Sequence, residues 1–416
     1  MPLPDADARR DQLARSYREV RATTEALAAP LSPEDQTVQS MPDVSPTKWH
    51  RGHTSWFFET FVAPKEIDGY TPFHPAYGYI FNSYYETIGA RHPRAERGLI
   101  SRPGVSEVTE YRHHVDKVMT EILDGRVRQA TADLLELGLH HEQQHQELLL
   151  MDIKHLLSRN PLQPAYRIGE QRRAGSPTKS GWIEHPGGPV HVGHGDTTFA
   201  FDNEFPRHVA HLVPFALADR AVTCGDWQAF MDDGGYRRPE LWLSDGWSVV
   251  QQQGWEAPLY WTRDGSGWLV FTLSGGRPVR ADDPVCHVSY YEADAFAHWT
   301  GGRLPTEFEW EAIAATRAVE GNFLDPAVLH PRPQGEASGL FGDVWEWTSS
   351  SYSPYPGFRA PPGAVGEYNG KFMVNQYVLR GGSCVTPVGH TRATYRNFFP
   401  AGARWAFSGL RLAEDR

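Results

Sequence analysis

Leu13, Tyr17, Val20, Thr24 and Leu27 recur at intervals of three and four in RRDQLARSYREVRATTEAL, so the chain opens with an amphipathic helix. Val108, Tyr111, Val115, Val118 and Ile122 form a second such stripe in SEVTEYRHHVDKVMTEIL. Between them, SPTKWHRGHTSWFFETF predicts a helix with Ser45 as N-cap and Pro46 at the first helical position. A fourth periodic run extends from about Thr131 to Leu157. Four amphipathic helices, with a long connection between the second and third, predict a four-helix bundle over residues 1–158.

The pattern breaks at RNPLQPAYRIGEQRRAGSPTKSGWIEHPG, residues 159–187, whose Pro, Gly, Ser and Arg content reads as a linker. Over residues 188–416 short apolar segments alternate with Gly and Pro, and twelve of the fourteen tryptophans lie after residue 181. Only TCGDWQAFMDD and SYYEADAFAHWTGG read as helices there, so this half is expected to be an irregular α+β domain with short strands. A chain of 416 residues is too long for one ordinary core, which agrees with two domains. The net charge of −11 argues against nucleic acid or an anionic membrane surface as a partner. No apolar run reaches membrane-spanning length, and the start lacks a signal-peptide pattern. Cys224, Cys286 and Cys384 form no CxxC cluster, and a reducing cytoplasm is the expected location.

The chemistry concentrates in LHHEQQHQELLL, residues 139–150. His141 and His145 are four apart on the helical face shared by Leu134 and Leu148, so both imidazoles point inward. Buried imidazoles need hydrogen bonds or a metal ion, and this spacing, flanked by Glu142, Gln144 and Glu147, favours the metal. His140 and His155 are rotated away. The second helix offers a third ligand in His53, on the apolar stripe with Trp49 and Trp56, whereas His50 lies off that stripe and is read as non-ligating. Three histidines from two helices form a facial site with open coordination positions. HEQQH also matches HExxH, in which Glu142 would be the general base of a zinc hydrolase, but no metzincin extension follows.

GHTSWFFE and HEQQHQE together resemble the DinB-like bundle of ergothioneine-pathway sulfoxide synthases of the EgtB type. The second half resembles the formylglycine-generating-enzyme fold, related to C-type lectins, in VHVGHG, GGRLPTEFEWEAIA, GDVWEWTSS, LRGGSC and FSGLRLA. The resemblance implies a non-haem iron(II) enzyme that uses O2 to join the sulfur of a cysteine-type thiol to C2 of the hercynine imidazole, as a sulfoxide. Its iron ligands would be His53, His141 and His145, and its second domain would supply pocket walls. Formylglycine formation is not expected, because Cys384 after RGGS has no cysteine near it and position 389 is Gly.

YIFNSYYETIGARHPRAERG, residues 79–98, lies in the long connection after the second helix, and its wealth of aromatic and basic residues marks it as an active-site loop. Tyr84 or Tyr85 would be the proton donor, and Arg91 and Arg94 would bind a substrate carboxylate, with Arg97 a weaker candidate. Gln144 would orient the substrate imidazole. In YRNFFPAGARWAFSGLRLA, Asn397 would hydrogen-bond the hercynine carboxylate, while Phe398 or Trp405 would face the trimethylammonium group. Phe399 stands where relatives that use γ-glutamylcysteine carry an Asp, which favours free cysteine as the thiol. Alternatives that keep the architecture are γ-glutamylcysteine, an ovothiol-type histidine acceptor or a selenium donor. Outside it stand the zinc hydrolase and a non-catalytic lectin-like protein.

Overall fold

The computed structural model describes residues 6–168, 181–265, 267–333 and 339–416. It divides into two compact units, Met1–Tyr166 and Arg167–Arg416. The first holds four long helices: α1 (Ala6–Ala28), α2 (Thr47–Phe61), α3 (Val105–Asp124) and α4 (Gln129–Arg159). The five stripe residues of α1 and the five of α3 are all buried, as their spacing predicts. α1 packs on α4, and α2 packs on both α3 and α4. Every α2 residue except Thr60 is buried, so this helix is the centre of the bundle rather than one wall of it.

Two glycines allow that close packing. A Cβ on Gly138 of α4 would lie 2.5 Å from the Phe58 ring and 3.0 Å from the Phe57 ring of α2. One on Gly52 would lie 2.2 Å from the ring of Phe81, which packs against α2 from the long connection between α2 and α3. That connection carries two single helical turns, Ala63–Glu66 and Tyr77–Ile80, and a 3-10 segment, Arg94–Leu99. The Trp49 indole N–H donates to the Ile80 carbonyl at 3.0 Å, which ties the connection back to α2.

The α2 start differs by one residue from the expected one. Pro46 occupies the N-cap position and no side chain caps the helix. Ser45 instead accepts a hydrogen bond from Arg97 at 2.8 Å through its hydroxyl, so tertiary structure claims the side chain that sequence assigns to the cap.

In the second unit, Trp345–Ser351, Gln376–Arg380, Asn397–Pro400 and Ser408–Leu410 form a mixed four-stranded sheet. Trp182–His185, Phe215–Ala218 and Ala413–Asp415 form an antiparallel one. The strand Trp182–His185 lies inside the stretch that sequence reads as linker; residues 169–180 of that stretch lie outside the described residues. Both expected helices form, Cys224–Asp232 and Tyr290–Thr300, each behind a capping box at Thr223 and Ser289. Two further helices, Ser244–Gln253 and Glu307–Ala314, have no counterpart in the sequence reading. Thr306 and Glu309 box the start of the second, a signal present in PTEFEWEAIA.

Candidate metal centre

α2 and α4 bring His53, His141 and His145 together: one ligand-capable atom from each lies within 4.8 Å of the others. The Nε2 atoms of His53 and His141 are 3.1 Å apart, and the ring centroids of His53 and His145 are 4.6 Å apart. His53 donates its Nδ1–H to the Phe81 carbonyl at 2.6 Å, which leaves its Nε2 lone pair facing the cluster. The ring is sandwiched between Trp49, stacked at 4.6 Å and 12°, and Trp56 at 5.5 Å and 18°. Burial pushes the His141 pKa down to about 3. It also holds His53 and His145 well below the ordinary histidine value, reinforced at His53 by His141 and at His145 by His53 and then His141. Three neutral imidazoles with converging lone pairs fit a divalent first-row metal ion.

His50 is off the apolar stripe, and yet it is buried. It meets His145 through their Nδ1 atoms at 2.8 Å, and its Nε2 lies 3.0 Å from the Asp152 carboxylate. Sequence reading passes over Asp152 altogether, although its position seven residues after His145 places it on the same helical face. His140 is half-buried, and His155 is buried and pairs with the Ser40 hydroxyl at 2.7 Å.

Glu142, the would-be general base of HExxH, is fully buried. Its carboxylate receives Arg21 and Arg112 at 2.9 Å each and the Thr24 hydroxyl at 2.7 Å. Burial alone would raise its pKa, but the two guanidinium groups outweigh it and hold it down at about 2. A carboxylate so committed is a poor base at neutral pH, and the hydrolase mechanism does not fit this arrangement.

From His53 the rings continue: Trp56 is 5.6 Å from Tyr85, and Tyr85 stacks on Tyr84 at 4.6 Å. Asn82 holds this turn, accepting from the Tyr85 amide at 3.1 Å and donating to the Tyr85 and Gly89 carbonyls at 3.0 and 3.1 Å. Tyr85 is buried and Tyr84 half-buried. Gln144, three residues after His141, is half-buried on that residue's helical face. Arg91 and Arg94 are exposed. Arg91 pairs with Glu86 at 2.9 Å, and Arg94 donates to the Asp43 carbonyl. The arginine beside the histidines is Arg97, buried with its guanidinium 3.4 Å above the Trp49 ring.

In the second unit, strand alternation separates two of the residues that sequence groups together. Phe398 stacks on Tyr352 at 4.1 Å, while its neighbours Asn397 and Phe399 face the other side of the strand. Phe399 lies 5.7 Å from Trp405, edge to face. Tyr377, paired in register with Phe399, stacks on Tyr290 at 3.7 Å.

Residues 169–332 and 319–416 match the sulfatase-modifying factor enzyme 1-like domain family. The hercynine oxygenase of Mycolicibacterium smegmatis is 33% identical over 359 residues, covering 78% of this chain and 81% of that protein. This chain belongs to the hercynine oxygenase family. Its counterpart from Mycobacterium tuberculosis is 32% identical over 351 residues, 78% of this chain and 81% of the relative. A formylglycine-generating enzyme of Thermomonospora curvata is 29% identical over 223 residues, 50% of this chain and 73% of the relative. As a hercynine oxygenase family member the chain is an enzyme, a helical region followed by a sulfatase-modifying-factor-like domain with short strands. An oxygenase family is consistent with a metal cofactor, and the His53–His141–His145 cluster can hold one. Among the described residues no helix is long and apolar enough to cross a membrane.

Proposed function

We propose that this chain is a non-haem iron(II), O2-dependent sulfoxide synthase of ergothioneine biosynthesis that joins the sulfur of cysteine to C2 of hercynine. The observation that carries the reading is the cluster of three imidazoles, two buried and one half-buried, with ligand atoms all within 4.8 Å, in a member of a hercynine oxygenase family. His53, His141 and His145 would hold the iron, which supplies O2 activation and holds the thiol sulfur as thiolate. The balance is simple: hercynine, thiol and O2 give the sulfoxide and one water, with one oxygen atom on sulfur. The other leaves as that water with the C2 and thiol hydrogens.

The chain's own residues bind, orient and move protons. Gln144 orients the substrate imidazole from beside His141. Arg91 and Arg94 serve the carboxylate with their fixed charge and donor fork, and the buried position of Arg97 favours adding it. Asn397, Phe398 and Trp405 are assigned to hercynine on that resemblance alone. The Phe399–Trp405 contact is apolar where a glutamyl amino group would need an acid, which supports cysteine over γ-glutamylcysteine. Three cysteines without a CxxC cluster suit a cytoplasmic enzyme.

Mass spectrometry of an aerobic reaction of Fe(II)-loaded protein with hercynine and cysteine tests this, with γ-glutamylcysteine and histidine as controls. A hercynine–cysteine sulfoxide is expected. A conjugate formed only with γ-glutamylcysteine would change the thiol; no conjugate, with metal bound and O2 unconsumed, would remove the oxygenase reading.

Tyr84 or Tyr85 supplies the proton that separates C–S bond formation from simple thiol oxidation. Tyr→Phe at the donor is expected to leave metal and substrate binding intact, to slow sulfoxide formation by about 10²–10⁴-fold and to divert thiol to sulfinate. Product ratios of Tyr84→Phe and Tyr85→Phe check this; two unchanged ratios would place the donor elsewhere.

A further inference from the structure

His50 and Asp152 form a hydrogen-bonded chain behind His145 that no ligand role requires. An aspartate carboxylate only accepts, so the 3.0 Å contact makes His50 Nε2 the donor. A neutral His50 then has one remaining ring nitrogen, Nδ1, and it is an acceptor. The atom 2.8 Å away is Nδ1 of His145, which therefore donates. With its proton on Nδ1, His145 presents the lone pair of Nε2. With His50 neutral each link allows one arrangement, and the sum fixes the tautomer of a ligand two hydrogen bonds away from the carboxylate.

We infer that His50 is a positioning residue, and that the Asp152–His50 relay sets His145 in the Nδ1–H form so that Nε2 faces the metal. The inference rests on the three-histidine metal reading. His53 obtains the same tautomer by a different device, the Phe81 carbonyl at 2.6 Å. Two ligands are thus oriented from behind by separate acceptors, one on the connection and one on α2. The relay is itself anchored: the same Asp152 oxygen accepts the Ser45 amide N–H at 2.8 Å, and both Asp152 and His50 are buried. Outer partners of this kind orient metal-bound imidazoles and raise their basicity.

The test has two arms. Imidazole ¹⁵N shifts of the metal-free wild-type protein are expected to show His145 protonated on Nδ1 and His50 on Nε2. His145 protonated on Nε2 would overturn the relay. In anaerobic Fe(II) titrations, with Co(II) absorption as a spectroscopic signature, His50→Leu is expected to weaken metal binding by about 10–100-fold. His50→Asn, whose Oδ1 replaces the Nδ1 acceptor, is expected to bind within a few-fold of wild type. Thermal melts of both metal-free variants separate folding from affinity. His50→Leu binding as tightly as wild type, or His50→Asn binding as weakly as His50→Leu, would overturn the inference while leaving the metal centre in place. Wild-type protein that binds neither metal would instead overturn the centre itself, and the metal role of His50 with it.

Discussion

His141→Ala is expected to lose the metal ion and, with it, all sulfoxide formation, while the bundle stays folded. The loss should exceed the roughly 10–100-fold that removal of an outer partner costs, because a donor atom itself is gone. The same holds for His53→Ala and His145→Ala. The two remaining ligands cannot rebuild the third position, since His141 and His145 share one face of α4 and His53 is the sole member of the triad on α2. Metal stoichiometry, O2 consumption and circular dichroism measured together check the claim. A folded His141→Ala protein that binds one equivalent of iron at wild-type affinity would show that the cluster is not the centre.

Glu142→Gln should act in the opposite way, on stability before chemistry. The carboxylate is buried between Arg21 and Arg112, and its removal leaves two buried guanidinium groups without their shared counter-ion. Arg21 also reaches Asp116 at 2.7 Å and Arg112 reaches Glu25 at 2.5 Å, both toward the exposed side, so compensation is partial. Breaking a buried pair in this way costs about 3–5 kcal/mol. The pH dependence has a definite sign. A carboxyl whose pKa falls from 4.5 unfolded to about 2 folded contributes fully above 4.5, and its contribution is lost as the pH falls toward 2. Urea unfolding of the metal-free protein should therefore show wild-type stability declining through that window by an amount missing from Glu142→Gln. A Glu142→Gln variant as stable as wild type but inactive would point back to a general base in HExxH.

The bundle was largely legible in the sequence because its helices bury continuous stripes, and Leu13 to Leu27 or Val108 to Ile122 state their face outright. The triad was legible for the same reason: His53, His141 and His145 sit where apolar residues are due. His50 and Asp152 escaped for different reasons: His50 lies off the apolar stripe of α2, and Asp152, although on the face of His145, carries a charge that sequence assigns to solvent unless its partner is seen. Arg97 escaped because a buried arginine and an exposed one look identical in RHPRAERG; only the Trp49 ring and Ser45 separate it from Arg91 and Arg94. In the second unit, short strands carry little period, and in Glu307–Ala314 three buried glutamates alternate with Phe308, Trp310 and Ala312, a period of two that hides the helical face. The contrast that survives there is the cap, Thr306 with Glu309.

Gly138 and Gly52 give the histidine cage a control that lies outside it. Each stands beside a ligand in the chain or a turn from one, and each holds a phenyl ring where a methyl group would have to be. Alanine at Gly52 would displace the Phe81 ring, whose backbone carbonyl holds His53, and alanine at Gly138 the Phe57 ring, 4.8 Å from His141, so the seating of two ligands depends on two positions with no functional group at all. A directed-evolution library confined to residues lining the histidines would leave that dial untouched, whereas alanine at either glycine would turn it.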